Sequence, residues 1–169
     1  MVFGYQETEA QTISKDKNND LALLRFNAGV TSTAKLRKST LQMGESAINF
    51  GYPLRGVLSS NTQITAGYIS SLAGYETNSA SFQYSAPTQF GNSGGPVLDA
   101  SGNIIGVVSG GLSDSKTQLV NFATKSTILE GFLQANKVSF EKADLGEKLE
   151  LPDIAEKAET FTVLVGCWE

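Results

Sequence analysis

Apolar positions along this chain fall in short runs broken by turn residues, not in long helical stripes. Residues 21–26, Leu-Ala-Leu-Leu-Arg-Phe, are almost all apolar and are bounded by Asn-Asp and Asn-Ala-Gly, which predicts a buried strand. Residues 47–52 read as another strand, ended by Pro53. Residues 62–71 place Ile64, Ala66 and Tyr68 in alternation, as a strand does. A short strand over 82–86 leads through 87–90 to a glycine-rich turn. Residues 97–98 and 104–108 are the predicted arms of a hairpin whose turn is marked by Ser101-Gly102. The pair Gly110-Gly111 reads as a loop, and 119–123 as the next strand. Near the start, 2–5 predicts one strand, 6–18 an irregular stretch and 27–46 a loop-rich segment. Helical spacing occurs at Ile128, Leu129, Phe132 and Leu133, with the hydroxyls of Thr124 and Ser126 as candidate caps. Pro152 suits a first helical position for a short acidic helix over 153–159, and 161–168 predicts a last strand.

A length of 169 residues suits about one domain with a sizeable core. The many Gly, Ser, Thr and Asn agree with a turn-rich, mostly β chain. The net charge of −4 is uneven: residues 141–169 hold eight acids and three bases, whereas 1–140 hold nine acids and ten bases. The body has no basic patch of the kind nucleic acid requires, and the acidic tail reads as a solvated face. One cysteine, Cys167, allows no internal disulfide. No run has the length of a transmembrane helix, and the N-terminus lacks the basic and apolar regions of a secretory signal, leaving the compartment open. With no His, one Cys and no tight carboxylate cluster, no metal site is expected. No phosphate loop or dinucleotide fingerprint occurs, so no cofactor is expected.

The stretch that carries chemistry is Gly91-Asn92-Ser93-Gly94-Gly95-Pro96. Its glycines permit positive φ and close backbone approach, and its proline fixes the exit. A serine on such a turn is held outward. The Gly91 and Ser93 amides can then point into one small space, as an oxyanion hole requires. The stretch resembles the nucleophile loop of trypsin-like serine proteases, in the variant with Asn before the serine, as in the HtrA/Deg-like branch. Asn19-Asp20-Leu21-Ala22-Leu23-Leu24 is similar to the segment with the family's triad aspartate. Asn49-Phe50-Gly51-Tyr52-Pro53, Thr65-Ala66-Gly67-Tyr68-Ile69-Ser70 and Val120-Asn121-Phe122-Ala123 resemble three of its strands, in the family's order, so that the match covers about residues 15–135.

The resemblance implies a mostly β, two-barrel fold. Its protease domain would span 1–140: a first barrel, lacking strands, to about 60, a complete second barrel over about 61–123, and a helix over about 125–135. An acidic helix-strand extension over 141–169 would follow. It implies a serine endopeptidase with Ser93 as nucleophile, Asp20 as a partly buried orienting carboxylate, and the Gly91 and Ser93 amides as oxyanion donors. Pro87, Thr88, Phe90, Val120, Asn121, Phe122 and Ala123 would border the substrate pocket; none is charged, so small or apolar side chains would be preferred. The expected partners are protein or peptide substrates, and the compartment implied is the cell envelope or outside.

One feature departs from the family: the chain contains no histidine. The family's base lies a few tens of residues before the aspartate, whereas 19 residues precede Asp20. The expectation is a chain that begins inside the first barrel, as a truncated enzyme or as a non-catalytic, peptide-binding or structural relative. Lys15, Lys17 and Lys125 are the lysines near the motifs, but nothing in the sequence brings an amine to Ser93. Lost strands would leave apolar residues exposed near 21–26 and 47–52 and favour self-association.

Overall fold

The computed structural model describes residues 2–3, 6–27, 32–53, 62–111 and 119–166. Its elements are β1 (Val2–Phe3), β2 (Gln6–Glu7), β3 (Ala10–Asp16), β4 (Leu21–Phe26), β5 (Lys35–Arg37), β6 (Ser46–Gly51), β7 (Gln63–Ser71), a 3-10 turn (Tyr75–Thr77), β8 (Ser81–Tyr84), β9 (Pro96–Leu98), β10 (Ile104–Gly111), β11 (Asn121–Lys125), α1 (Ser126–Ala135), β12 (Glu141–Ala143) and α2 (Leu151–Glu159). The fold is mostly β. Among the described residues no helix is long and apolar enough to cross a membrane.

Six strands close into an antiparallel ring in the order β11-β8-β7-β6-β9-β10, with β10 pairing back to β11. Closure leaves no free edge where the six strands pair; only the end of β10, through Gly111, runs on past β9. Strand alternation then fills the ring. Ala47, Ile69, Phe82, Tyr84, Ala86, Val97, Ile105, Val108 and Ala123 form one buried interior cluster. At roughly 1.5–3 kcal/mol for each large apolar side chain removed from water, this cluster dominates the stability of the ring. The opposite face of β6 and β9 presents Ile48, Phe50 and Leu98, which are covered by Ile154 and Ala158 of α2.

The boundary between the two units differs from the sequence expectation. β6 was expected to end a first barrel. It pairs instead with β7 along its whole length and with β9, inside the ring. Residues 47–51 are therefore buried and form no exposed apolar patch. The strand signal was local, whereas the pairing that places it is long-range.

Outside the ring, β3 and β4 form a two-stranded ribbon, Ala10↔Phe26 to Asp16↔Leu21. β1 and β2 form a shorter one, and Tyr5 lies outside the described residues. The irregular stretch expected over 6–18 thus contains two strands. β3 has no buried residue and so no hydrophobic signature; its partner β4 makes it a strand. Within β4, Leu21 is buried and Leu23, Leu24 and Phe26 are half-buried.

β5, in the expected loop over 27–46, pairs in parallel with Ile104 at the start of β10, and β12 pairs in parallel with β5. Arg37 of β5 is buried and donates to Asp99 at 3.1 Å and to Glu45 at 3.1 Å. Asp99 also accepts the Ser101 and Asn103 amides at 2.8 and 2.9 Å, which shapes the β9–β10 turn. Buried charges require such partners, because either one left alone is costly.

The chain after α1 packs on the body. Its acids face solvent, but Ile154 and Ala158 are fully buried. The expected last strand reduces to one bridged residue, Leu164; Cys167 and Trp168 lie outside the described residues. α1 begins after Lys125 with no side-chain cap: the Thr124 hydroxyl, expected to cap it, donates to the Asn19 carbonyl instead. Gly110 and Gly111 belong to β10, not to a loop, paired with Phe122 and Asn121 beyond a bulge at Ser109.

Candidate active site

The Ser93 turn is fixed from three sides. The Asn92 amide donates to Gln89 O at 3.1 Å, the Gly95 amide to Asn92 O at 2.9 Å, and the Gly94 amide to Val108 O at 2.8 Å, while the Val108 amide returns a bond to Gly95 O at 2.9 Å. These bonds seat the turn on β10. Gly91 and Gly94 adopt φ of 99° and 80°, a region in which other residues are strained, which explains the glycines on either side of the serine. The turn also rests against β6. A Cβ on Gly95 would stand 2.7 Å from Phe50 O, and one on Gly51 would stand 2.7 Å from Asn92 Oδ1. The glycine of the Gly51-Tyr52-Pro53 motif therefore makes room for Asn92.

Ser93 itself is exposed. Among the described residues its hydroxyl has no hydrogen-bond partner, and neither the Gly91 nor the Ser93 amide donates to a protein acceptor. The Gly91 and Ser93 amides are thus left available, while those of Asn92, Gly94 and Gly95 are engaged. Those two amides are the pair singled out from the sequence.

The segment that leads into the turn is held by a buried polar cluster that the sequence did not reveal. Asn49 Nδ2 donates to Thr88 Oγ1 at 3.2 Å, Thr88 Oγ1 donates to Ala86 O at 3.1 Å, and the Tyr84 hydroxyl shares a bond with Thr88 at 3.1 Å. Asn121 Nδ2 also donates to Ala86 O, at 2.8 Å. Burial pushes the Tyr84 hydroxyl up to about 12, against the opposing effect of its Thr88 bond, so it stays protonated and serves as a hydrogen-bonding strut. Only the strand alternation of Asn49 with Ala47, placing both on the interior face, hints at this cluster.

The expected substrate-lining residues divide. Pro87 and Phe90 are exposed, Phe90 at 85%, and Thr88 and Val120 are half-buried. Asn121 is buried and tied to Ala86, which brings the 86–88 and 120–121 segments together. Phe122 packs edge-on against Tyr75, and Ala123 is sealed in the ring interior, away from any surface. Ser109, Gly110 and Gly111 were missed. They continue β10 past the point where Gly94 and Gly95 bond to Val108, with β11 on one side. Two adjacent glycines carry a turn signal, which hid this strand end.

Asp20 follows an Asx turn. Asp16 Oδ1 accepts the Asn18 and Asn19 amides at 3.1 and 3.2 Å, and Asp16 Oδ2 accepts Asn19 Nδ2 at 2.6 Å. The turn leaves Asp20 at φ 55° and exposed, not partly buried as expected. Its neighbour Asn19 is tied to the ring by the Thr124 hydroxyl at 2.8 Å. Thr124 adjoins Ala123, which pairs with Val108, which holds Gly94. Asp20 and Ser93 are thereby linked through two neighbouring ring strands. Lys125 points elsewhere, its amine donating to Ser79 O at 2.7 Å.

Residues 3–107 match the family described as Trypsin-like peptidase domain. The protein y4bJ of Sinorhizobium fredii is 39% identical over 172 residues, covering 97% of this chain and 27% of that protein. The serine protease Do-like HtrB of Bacillus subtilis is 34% identical over 170 residues, covering 92% of this chain and 36% of that protein. The chain thus spans about a quarter to a third of these relatives' lengths. Among solved structures, the HtrA-type protease AlgW with decapeptide superposes with a TM-score of 0.66 at 29% identity, covering 77% of this chain and 41% of that one.

Proposed function

The chain belongs to the trypsin-like peptidase family, on its HtrA-like side, and from that premise we propose that it carries the nucleophile half of a serine endopeptidase site. Ser93 Oγ attacks the scissile carbonyl carbon of a bound peptide. The carbonyl oxygen becomes an oxyanion held by the Gly91 and Ser93 amides. The hydroxyl proton passes to a base and then to the leaving amine as the C–N bond breaks, and water later releases the acyl group. The observation that supports this is the pair of amides without acceptors flanking an exposed, unpartnered hydroxyl. Asp20, on the Thr124-tethered turn, orients the base. The free side of β10 at Ser109, Gly110 and Gly111 takes the peptide as an added strand, with Pro87, Thr88, Phe90 and Val120 around its side chains.

No histidine occurs among the 169 residues to serve as that base. Loss of the base of a serine triad lowers turnover by about 10⁶-fold. From a typical kcat of about 10 s⁻¹, that leaves about one event per day. This arithmetic favours a second reading, in which the chain by itself binds peptides without cleaving them.

An apolar peptide aldehyde titrated into ¹⁵N-labelled chain separates the two. Both readings expect shifts at Ser109, Gly110 and Gly111. With imidazole added as the base, the endopeptidase reading also expects a hemiacetal on Ser93, seen by ¹³C NMR of an aldehyde labelled at its carbonyl carbon and absent in Ser93→Ala. Binding with no Ser93 adduct selects the second reading, and no binding overturns both.

A further inference from the structure

The helix α2 is no part of the ring, yet it lies directly behind the Ser93 turn. Ile154 and Ala158 pack with Ile48, Phe50 and Leu98 on the outer face of β6 and β9. The end of β6 also bears on the turn: the Gly95 Cα lies against the Phe50 carbonyl, and the Gly51 Cα against the Asn92 side chain. β6 thus meets the helix through Ile48 and Phe50, and the turn through the Phe50 carbonyl and Gly51. Both ends of the helix are tethered. Leu149, just before it, donates its amide to Ala100 O at 2.9 Å, and Lys157 Nζ donates to Ser101 O at 2.9 Å. Thr62 Oγ1 donates to Glu159 Oε1 at 2.8 Å. Glu159 also approaches Tyr52, the residue after β6, whose hydroxyl is pushed up by burial and by that carboxylate. The match to y4bJ covers 97% of the chain, at most about five residues short of 169, and so includes α2.

We propose that α2 is a positioning element for the Ser93 turn: docked, it presses β6 against Asn92 and Gly95, and its release loosens the presentation of Ser93 and its flanking amides. Ile154 and Ala158 are the positioning residues. A close-packed interior has little slack, so displacing the helix moves the strand beneath it and the turn beyond. Docked and undocked α2 are the two arrangements that such coupling requires. A pull or a ligand on the 141–166 segment would then be read at Ser93. The inference rests on the proposed function only in calling the turn a nucleophile turn; its test does not require Ser93 to react.

The test is amide hydrogen exchange by NMR in the 169-residue chain. The reporters are Gly94 and Gly95, bonded to Val108 O and Asn92 O, and the control is Ser85, bonded to Tyr68 O elsewhere on the ring. Ile154→Ala is expected to speed exchange at Gly94 and Gly95 by about tenfold or more and at Ser85 by less than about twofold. Ile154→Val should restore most of the protection. Thr62→Val, which cuts only the Glu159 tether, should give a smaller change in the same direction, and it decides alone if Ile154→Ala does not fold. Equal acceleration at all three amides, or no change at Gly94 and Gly95, overturns the proposal.

Discussion

The ring that carries Ser93 and the ribbon that carries Asp20 are held in different ways. In the ring every strand has two partners, and nine apolar residues seal the interior. The Ser93 turn inherits that rigidity through Val108 and β6. In the ribbon, β3 and β4 pair only with each other, and Leu21 is the one buried residue of the two strands. A two-stranded ribbon is marginal by itself. Asp20 is placed by an Asx turn and by the Thr124 bond. The candidate nucleophile is therefore set by closure of a core, and the candidate orienting carboxylate by a few polar bonds at the surface.

The largest expected effect breaks the ring. Phe82→Ala, at a fully buried site, should cost about 3–5 kcal/mol in urea denaturation. A loss below about 1 kcal/mol would show that the ring core is not what stabilises the chain. Next, Gly51→Ala drives a methyl into Asn92 and should cost about 1–3 kcal/mol, with the largest NMR shifts at residues 91–95. Shifts confined to β6 and β7 would detach the turn from β6.

Thr124→Val sharpens the comparison from the ribbon side. It removes the donor to Asn19 O and should cost about 1 kcal/mol, with faster proteolysis between residues 10 and 26 and little change at Ser93. The smallest effect concerns Asp16, whose carboxyl is held below the usual carboxylate range, chiefly by the Asn19 side chain and also by the Asn18 and Asn19 amides. A depressed folded-state value gives stability that is present above the ordinary carboxylate range and lost as pH falls through the depressed value. Asn19→Ala should move the Asp16 titration upward in ¹³C-detected NMR, and an unchanged midpoint would contradict the assigned cause.

The Ser93 turn was legible because glycine and proline make conformational demands that a sequence displays. Gly91 and Gly94 do sit at positive φ. The strand over 21–26 and α1 were legible from their apolar positions, and α2 from Pro152 in its first turn. β3 was not, because its residues are polar and its strand state comes from β4. Residues 47–52 read correctly as a strand but in the wrong barrel, since the bonds to β9 that place β6 join segments far apart in sequence. The strand end at Gly110-Gly111 was lost to a local turn signal that pairing with β11 overrides. Asn49 and Asn121, which tie down the 86–88 segment, carry no motif.

We propose that the Ser93 turn is an assembled nucleophile site that needs only a base. Its most direct test is labelling of the 169-residue chain by a fluorophosphonate over a series of imidazole concentrations, with the modified residue located by mass spectrometry. Negligible labelling in buffer, labelling at Ser93 that rises with imidazole, and none in Ser93→Ala are expected. Labelling that is rapid without imidazole, or an absence of any Ser93 adduct at every imidazole concentration while the chain stays folded, would contradict it.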